Sequence, residues 1–380
     1  MRRLESMFRP ISRAMSTVPQ FELSTLKPFV PHRLHEIPTD SCSLTRSRAL
    51  KMYEDMVTIR KMENCAAVLY RERLIRGFLH LCVGQEAMYV GVKEAITADD
   101  AIIGTYRCHG WAYVMGVPVD EILCELTGSE RGCSKGKGGS MHIYNRDTNF
   151  LGGNGITGAQ VPLGAGLAFA NKYQNKPGVA MTFYGDGASN QGQVFEAYNF
   201  AMLNHLPVIF VCENNGYGMF TAAARSSANT KYYTRGDTIP GLWVDGMDVI
   251  AVKQAVEFGR KWCLENHSPL VMEMAIYRFV GHSVTDPGNY RSKTEVEEYK
   301  KKNDPINTFK NRIIYANGAN ESDFEKIDEK AKQFIVKAEA VARSATKPDI
   351  KELATGIYST KTHNLFAKCP DEKLNVSYDA

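Results

Sequence analysis

The chain has 380 residues, 44% of them hydrophobic and 23% charged, an ordinary balance for a folded globule and too apolar for a disordered one. The formal net charge is +4, and Arg2, Arg3, Arg9 and Arg13 against Glu5 put +3 of it in the first twenty residues. The rest is nearly neutral, which excludes a general nucleic-acid binder, and no apolar run is long enough for a membrane-spanning helix. The nine cysteines are scattered, with no C-x-x-C pair, so neither a disulfide framework nor a zinc site is expected and a reducing compartment fits.

Met1 to about Thr17 is Arg-rich and nearly free of acids. Leu4, Met7, Phe8 and Ile11 can share one face of a short helix. This is the composition of an organelle transit peptide; the bland alternative is a frayed basic tail. A Pro-punctuated arm follows (Pro19, Pro28, Pro31, Pro38). The spacing of Leu50, Tyr53, Met56, Val57, Met62 and Ala66 then predicts a helix over Leu44 to about Glu72.

From Gly128 to Gly166, 11 of 39 residues are Gly, against 31 in the whole chain. Met141, Ile143, Tyr144 and Phe150 lie among them. This argues for backbone that approaches a ligand rather than for a linker. Gln160–Tyr173 reads as a helix with a small-residue face, suited to close contact with a neighbouring helix.

Val179–Tyr184 is a short apolar run, read as a buried strand ended by Gly185-Asp186-Gly187. A helical pattern over Asn190–Asn204 follows, with Val194, Tyr198, Ala201 and Met202 in register. Pro207–Cys212 is a second buried strand, stopped by Glu213-Asn214-Asn215-Gly216. Strand, crossover helix and parallel strand deliver both loops to one carboxyl edge, where open α/β sheets bind ligands. Asp248 caps a helix running to about Glu265. Leu270–Tyr277 is a third strand, whose loop carries Arg278 and His282 to the same edge. Ser322-Asp323-Phe324-Glu325 reads as a capping box before a long charged helix with Phe324, Ile327, Ala331, Phe334, Ala338 and Val341 inward.

Asp186 alone serves equally well as a helix cap. Beside Asn215 it offers a carboxylate and an amide oxygen at adjacent strand ends, with the Tyr217 carbonyl as a third ligand. That set suits Mg²⁺ completing its shell with phosphate oxygens. Gly187 admits a phosphate, and the following helix aims its N-terminus there.

Gly185-Asp186-Gly187, then 26 residues, then Asn214-Asn215, resembles the signature of thiamine-diphosphate enzymes. KGKGGSMH (135–142), GGNGITGAQVPLGAG (152–166), the segments at 184–199, 212–219 and 235–248, and GHS..DPG (281–288) resemble the alpha subunits of mitochondrial pyruvate dehydrogenase over roughly residues 40–360. The resemblance implies an α/β fold of the thiamine-diphosphate-binding type: a mostly parallel sheet with helices on both faces and a helical C-terminal extension. The expected division is a transit peptide over about 1–25, the α/β domain over 40–300 and the extension over 301–380.

It further implies decarboxylation of pyruvate in the mitochondrial matrix, with the acetyl group passed to the lipoyl group of an acetyltransferase component. Asp186, Asn215 and the Tyr217 carbonyl are expected to hold Mg²⁺, and Gly187 and Ala188 to cradle the diphosphate. Tyr106, Arg107, Arg278 and His282 are expected to contact it, and Gly155 and Thr157 to meet the aminopyrimidine by backbone. His80 and His282 are the expected catalytic histidines. The carboxylate for the ring nitrogen is not found here. In the family it comes from a beta subunit, so the expected assembly is two alphas and two betas. Ser283 resembles the family's first phosphorylation site, which implies a regulatory kinase and phosphatase. The chain departs from the pattern at Gly216, Phe220, Asn229 and Val280. The nearest rivals are an alpha subunit of another 2-oxo acid or acetoin dehydrogenase, and a non-catalytic assembly paralogue.

Overall fold

A computed structural model describes residues 19–356, 365–367 and 376–378. Of the expected transit peptide, residues 1–18 lie outside them, while 19–25 are described and include a strand, Gln20–Ser24. The strands are β1 (Gln20–Ser24), β2 (Val30–His32), β3 (Ser41–Thr45), β4 (Ala101–Ile103), β5 (Ala180–Gly185), β6 (Val208–Asn214), β7 (Gly241–Asp245), β8 (Leu270–Ala275), β9 (Leu365–Ala367) and β10 (Val376–Tyr378). The helices are α1 (Arg46–Arg71), α2 (Glu86–Ala95), α3 (His109–Val114), α4 (Val119–Leu126), α5 (Gln160–Tyr173), α6 (Gly192–Leu203), α7 (Ala223–Ser226), α8 (Val249–Asn266), α9 (Lys293–Asn303), α10 (Pro305–Tyr315) and α11 (Glu321–Ser344).

Six strands form the central sheet in the order β2-β7-β8-β6-β5-β4. All neighbours are parallel except β2, which pairs antiparallel with β7 at one edge. The strands are apolar throughout because both faces are covered. Met181, Phe183, Ile209 and Val211 enter the larger core, with α1, α2 and α8. Ala180, Tyr184, Val208, Phe210 and Cys212 enter the second, with α5 and α6. Alternate residues of β5 and β6 thus serve opposite cores, as the pleat requires.

The register pairs Gly185 with Glu213, and Glu213 in turn with Met274. The loops after β5, β6 and β8 therefore open side by side. The Asp248 carboxylate accepts from the Ile250 N–H and caps α8.

Several local expectations are corrected. The arm contributes β2 to the main sheet and pairs β1 with β3, and β4 and β7 were missed. The capping box before α11 is formed by Asn320 and Asp323, two residues earlier than expected. On α11 it is Ile335 and Ala342 that are buried with Phe324, Ala331 and Ala338, while Phe334 is 46% exposed. The small residues Gly164, Ala165 and Ala168 of α5 are buried, and a Cβ at Gly164 would stand 2.4 Å from the Thr182 Cβ. They allow α5 to press onto β5. The exposed face of α5 is instead large and apolar: Leu163, Phe169 and Tyr173.

Ile306, Phe309, Ile313 and Phe324 join the larger core, so α10 and α11 pack on the α/β body. Beyond α11 the described residues include the antiparallel pair β9–β10. The eight cysteines among the described residues are free thiols. No described helix is long and apolar enough to cross a membrane.

Candidate active site

A cavity of about 290 Å³ opens at the carboxyl edge, lined from beyond four strands. Thr105, Tyr106 and Arg107 follow β4. Gly185, Asp186, Gly187 and Ala188 follow β5. Glu213, Asn215, Tyr217 and Met219 belong to the end of β6 and its loop, and His282 reaches in from beyond β8. Thr157 also lines it, whereas Gly155 lies outside the lining, beside His142.

Asp186 is 1% exposed, and its Oδ2 has no hydrogen-bond partner. Burial raises its pKa to about 6, against the backbone hydrogen bonds of Asp186 itself and Asn215 and the charge of Arg278. A carboxylate this buried with a free oxygen is an incomplete arrangement that a cation would complete. The alternative reading, a helix cap, fails. Asp186 uses its carbonyl to accept from the Ser189 hydroxyl at 2.6 Å, and α6 has no side-chain cap.

A Cβ on Gly185 or Gly187 would meet nothing within 4 Å. Packing does not require either glycine, and their bare backbone leaves room for a ligand. No group of three His, Cys, Asp or Glu side chains suited to a metal occurs among the described residues. The local donor set is one carboxylate, one amide oxygen and one backbone carbonyl, which suits a hard cation that shares its shell with phosphate. The cavity thus fits a divalent cation bearing a diphosphate.

Buried Arg107 lines this space, and buried Arg278 stands outside the lining, bonded to its Asn215 and Tyr217. Arg107 donates to the Leu81 carbonyl and, at 3.0 Å, to the His282 carbonyl. Arg278 donates through Nε to the Asn215 Oδ1 at 3.3 Å and through Nη2 to the Tyr217 carbonyl at 2.9 Å. Its Nη1 has no partner. Burial and then the Arg107 charge depress the Arg278 pKa to about 10, which leaves it charged at neutral pH. A buried guanidinium N–H with no partner is a donor that an anionic ligand can use.

His80, Tyr106 and His282 form one aromatic group. The His80 ring lies 4.4 Å from Tyr106 and 5.5 Å from His282, and the Tyr106 hydroxyl is 3.4 Å from the His282 Nε2. His80 stands behind the cavity lining, with Nδ1 unpartnered. Burial, reinforced by Arg107, depresses His80 to about 3 and His282 to about 4. Both rings are neutral at physiological pH.

The loop after β8 is pinned from within. Asp286 accepts from the His282 N–H, the Gly288 N–H and the Tyr290 hydroxyl. Arg291 donates to the carbonyls of Arg278 and Val280, each at 2.8 Å. Ser283 is buried, its hydroxyl 3.0 Å from that of Thr285.

The departures have local accounts. Gly216 has φ +78°, a conformation that suits glycine better than a residue with a side chain. Phe220 has φ +63°, which strains a bulky residue, and meets Tyr290 edge-on at 5.7 Å. Asn229 accepts from the Lys231 N–H and donates to the Thr234 hydroxyl. The Val280 side chain packs against the larger core.

Sequence reasoning missed two features. Glu213 lies in the cavity wall with Oε1 unpartnered, and burial raises it to about 7. Its place before Asn214-Asn215 was the available signal. The second is a buried chain of polar groups behind Arg107. The Cys82 thiol donates to Glu63 at 3.3 Å, and the two His109 nitrogens meet Glu63 at 2.9 Å and the Ser140 hydroxyl at 2.8 Å. It ties α1 and the Gly-rich segment to the start of α3. Nothing in the sequence pattern links these residues.

Residues 54–351 match the family described as the dehydrogenase E1 component. Among curated relatives, the mitochondrial pyruvate dehydrogenase E1 component subunit alpha type II of Ascaris suum is 48% identical over 368 residues, 97% of this chain and 93% of that protein. The probable mitochondrial pyruvate dehydrogenase E1 component subunit alpha of Caenorhabditis elegans is 53% identical over 319 residues, 84% of this chain and 80% of its own. The somatic mitochondrial form of Homo sapiens is 50% identical over 330 residues, 87% and 84% of the two chains.

Proposed function

The chain belongs to the dehydrogenase E1 component family, among its mitochondrial pyruvate dehydrogenase alpha subunits, and on that premise we propose how its residues serve the reaction. It acts in the mitochondrial matrix, in the thiamine-diphosphate-dependent oxidative decarboxylation of pyruvate. The acetyl group passes to the lipoyl group of the acetyltransferase component.

One observation carries the site assignment. The free oxygen of buried Asp186 opens beside the Asn215 loop, over glycines that packing does not require. Asp186, the Asn215 amide oxygen and the Tyr217 carbonyl hold Mg²⁺. Gly187 and Ala188 cradle the diphosphate, Arg107 and Arg278 neutralise it, and Tyr106 and His282 contact it. Thr157 meets the aminopyrimidine. Gly155, expected in the same role, lies outside the cavity lining.

When bound, thiamine diphosphate supplies the nucleophilic carbon and the electron sink for loss of carbon dioxide. This chain supplies electrostatics and position. Ionised Asp186 is relieved of its desolvation penalty once a cation is present. Neutral His80 and His282 offer one donor and one acceptor nitrogen each, so they orient polar groups without repelling the arginines. The carboxylate for the ring nitrogen comes from a beta subunit, in an assembly of two alphas and two betas. The exposed apolar side chains of α5 and α6, Phe169, Tyr173, Phe200 and Leu203, support a partner surface there.

Ser283 is the target of a regulatory kinase and phosphatase. Its burial means that the loop must release Asp286 and Arg291 before a kinase reaches the hydroxyl. A phosphate carrying roughly −1.5 to −2 charge cannot return to that pocket beside the diphosphate.

The test is co-expression with a matching beta subunit and assay of carbon dioxide release from pyruvate. Release that requires both thiamine diphosphate and Mg²⁺ is expected. Faster turnover of a branched 2-oxo acid or of acetoin would reassign the substrate. Cofactor binding without turnover of any of them would make the chain an assembly subunit.

A further inference from the structure

Arg278 is a buried cation with no carboxylate partner among the ion pairs of the described residues. It is 1% exposed, and its Nη1 bonds to nothing. Such a charge is costly unless something compensates it. What it does touch is specific. Its Nε and Nη2 occupy the Asn215 Oδ1 and the Tyr217 carbonyl, at 3.3 and 2.9 Å. These are two of the three oxygens assigned above to the metal. The third group, Asp186, also feels the Arg278 charge.

A divalent ion binding those oxygens at about 2.1 Å must therefore sit within roughly 5 Å of the guanidinium. It competes for their lone pairs and is repelled by a fixed positive charge in a buried site. A diphosphate changes the balance, because its negative charge attracts both cations together.

We infer that Arg278 makes metal binding conditional on the diphosphate: the site refuses a divalent cation alone and admits it with its anionic partner. This rests on the proposed metal site and goes beyond the role of Arg278 as a phosphate donor. The consequence is a chain that does not load metal unproductively, with Mg²⁺ and cofactor entering as one unit. Removing the charge has opposite effects on the two ligands. Metal alone binds more tightly, while the diphosphate binds less tightly. A merely structural residue would weaken both.

The experiment uses the assembled alpha–beta complex stripped of cofactor, with Mn²⁺ as probe and free Mn²⁺ counted by electron paramagnetic resonance. Wild type is expected to bind Mn²⁺ at least roughly tenfold more tightly with thiamine diphosphate than without it. Arg278→Gln, which keeps an amide donor, is expected to tighten binding of Mn²⁺ alone by roughly tenfold or more and to loosen thiamine diphosphate. Arg278→Lys keeps the charge and is expected to go on refusing Mn²⁺ alone. That variant also guards against misfolding as the cause of any change.

If Arg278→Gln binds Mn²⁺ alone no more tightly than wild type, the gate is overturned. If Asp186→Asn leaves Mn²⁺ binding with thiamine diphosphate intact, the proposed metal site fails instead, and the two failures are distinct.

Discussion

Asp186→Asn is expected to stabilise the cofactor-free protein while destroying its metal site. Ionising at pH 7 a carboxyl whose pKa is raised from 3.8 to about 6 costs about 3 kcal/mol of folding free energy. Asparagine has the same shape and retains an oxygen to accept from backbone N–H groups, so it escapes that cost. The sign is fixed by the direction of the shift. A raised folded-state pKa contributes stability below the unfolded value of 3.8, and this is lost as pH rises through about 6. The advantage of the variant is therefore full above about pH 7 and near half at pH 5. The assay is thermal or urea unfolding of the stripped alpha–beta complex at pH 5, 6, 7 and 8, with and without Mg²⁺ and thiamine diphosphate. Ligands are expected to reverse the order, because only wild type gains from them. A gain independent of pH, or a loss at pH 7 without ligands, would refute the claim that Asp186 is held as an uncompensated charge.

Ser283→Glu places a charge in a buried position of the pinned loop and is expected to lower activity by orders of magnitude; near-normal turnover with the beta partner would discard the switch. In the cofactor-free protein the imidazole ¹⁵N signals of His80 and His282 are expected to stay neutral from pH 8 to pH 5, since their values lie near 3 and 4. Because these values are depressed, the stability the two rings contribute is present above about pH 6.5 and is lost as pH falls toward 4. A midpoint near 6.5 for either ring would contradict its burial beside Arg107. Gly164→Ala would put a Cβ 2.4 Å from the Thr182 Cβ and is expected to cost about 1–3 kcal/mol, read as a lower melting temperature.

The sequence made β5 and β6 readable because strands buried on both faces leave unbroken apolar runs. The loop residues between them were readable because Gly-Asp-Gly and Asn-Asn mark both strand ends. β4 was not, since Ala101–Ile103 is only three residues long and carries no period. Pro31 argued against a strand in the arm, yet β2 is an edge strand, where a missing N–H is tolerated. On α11 the apolar spacing was correct in kind, but Phe334 and Ile335 are adjacent and only packing decides between them. The cavity brings together Tyr106, Arg107, Thr157, Asp186, Asn215 and His282 from distant segments, whereas His80, Gly155 and Arg278 lie outside its lining. The Glu63–His109–Ser140 group was invisible, because separations of 46 and 31 residues leave no local pattern.

The most direct measurement is the position of Mn²⁺ by anomalous diffraction in crystals of the alpha–beta complex loaded with thiamine diphosphate. The expected result is a peak about 2.1–2.2 Å from an Asp186 carboxylate oxygen and the Asn215 amide oxygen, with phosphate oxygens completing the shell. A peak bound to the diphosphate but touching neither side chain would contradict the assignment.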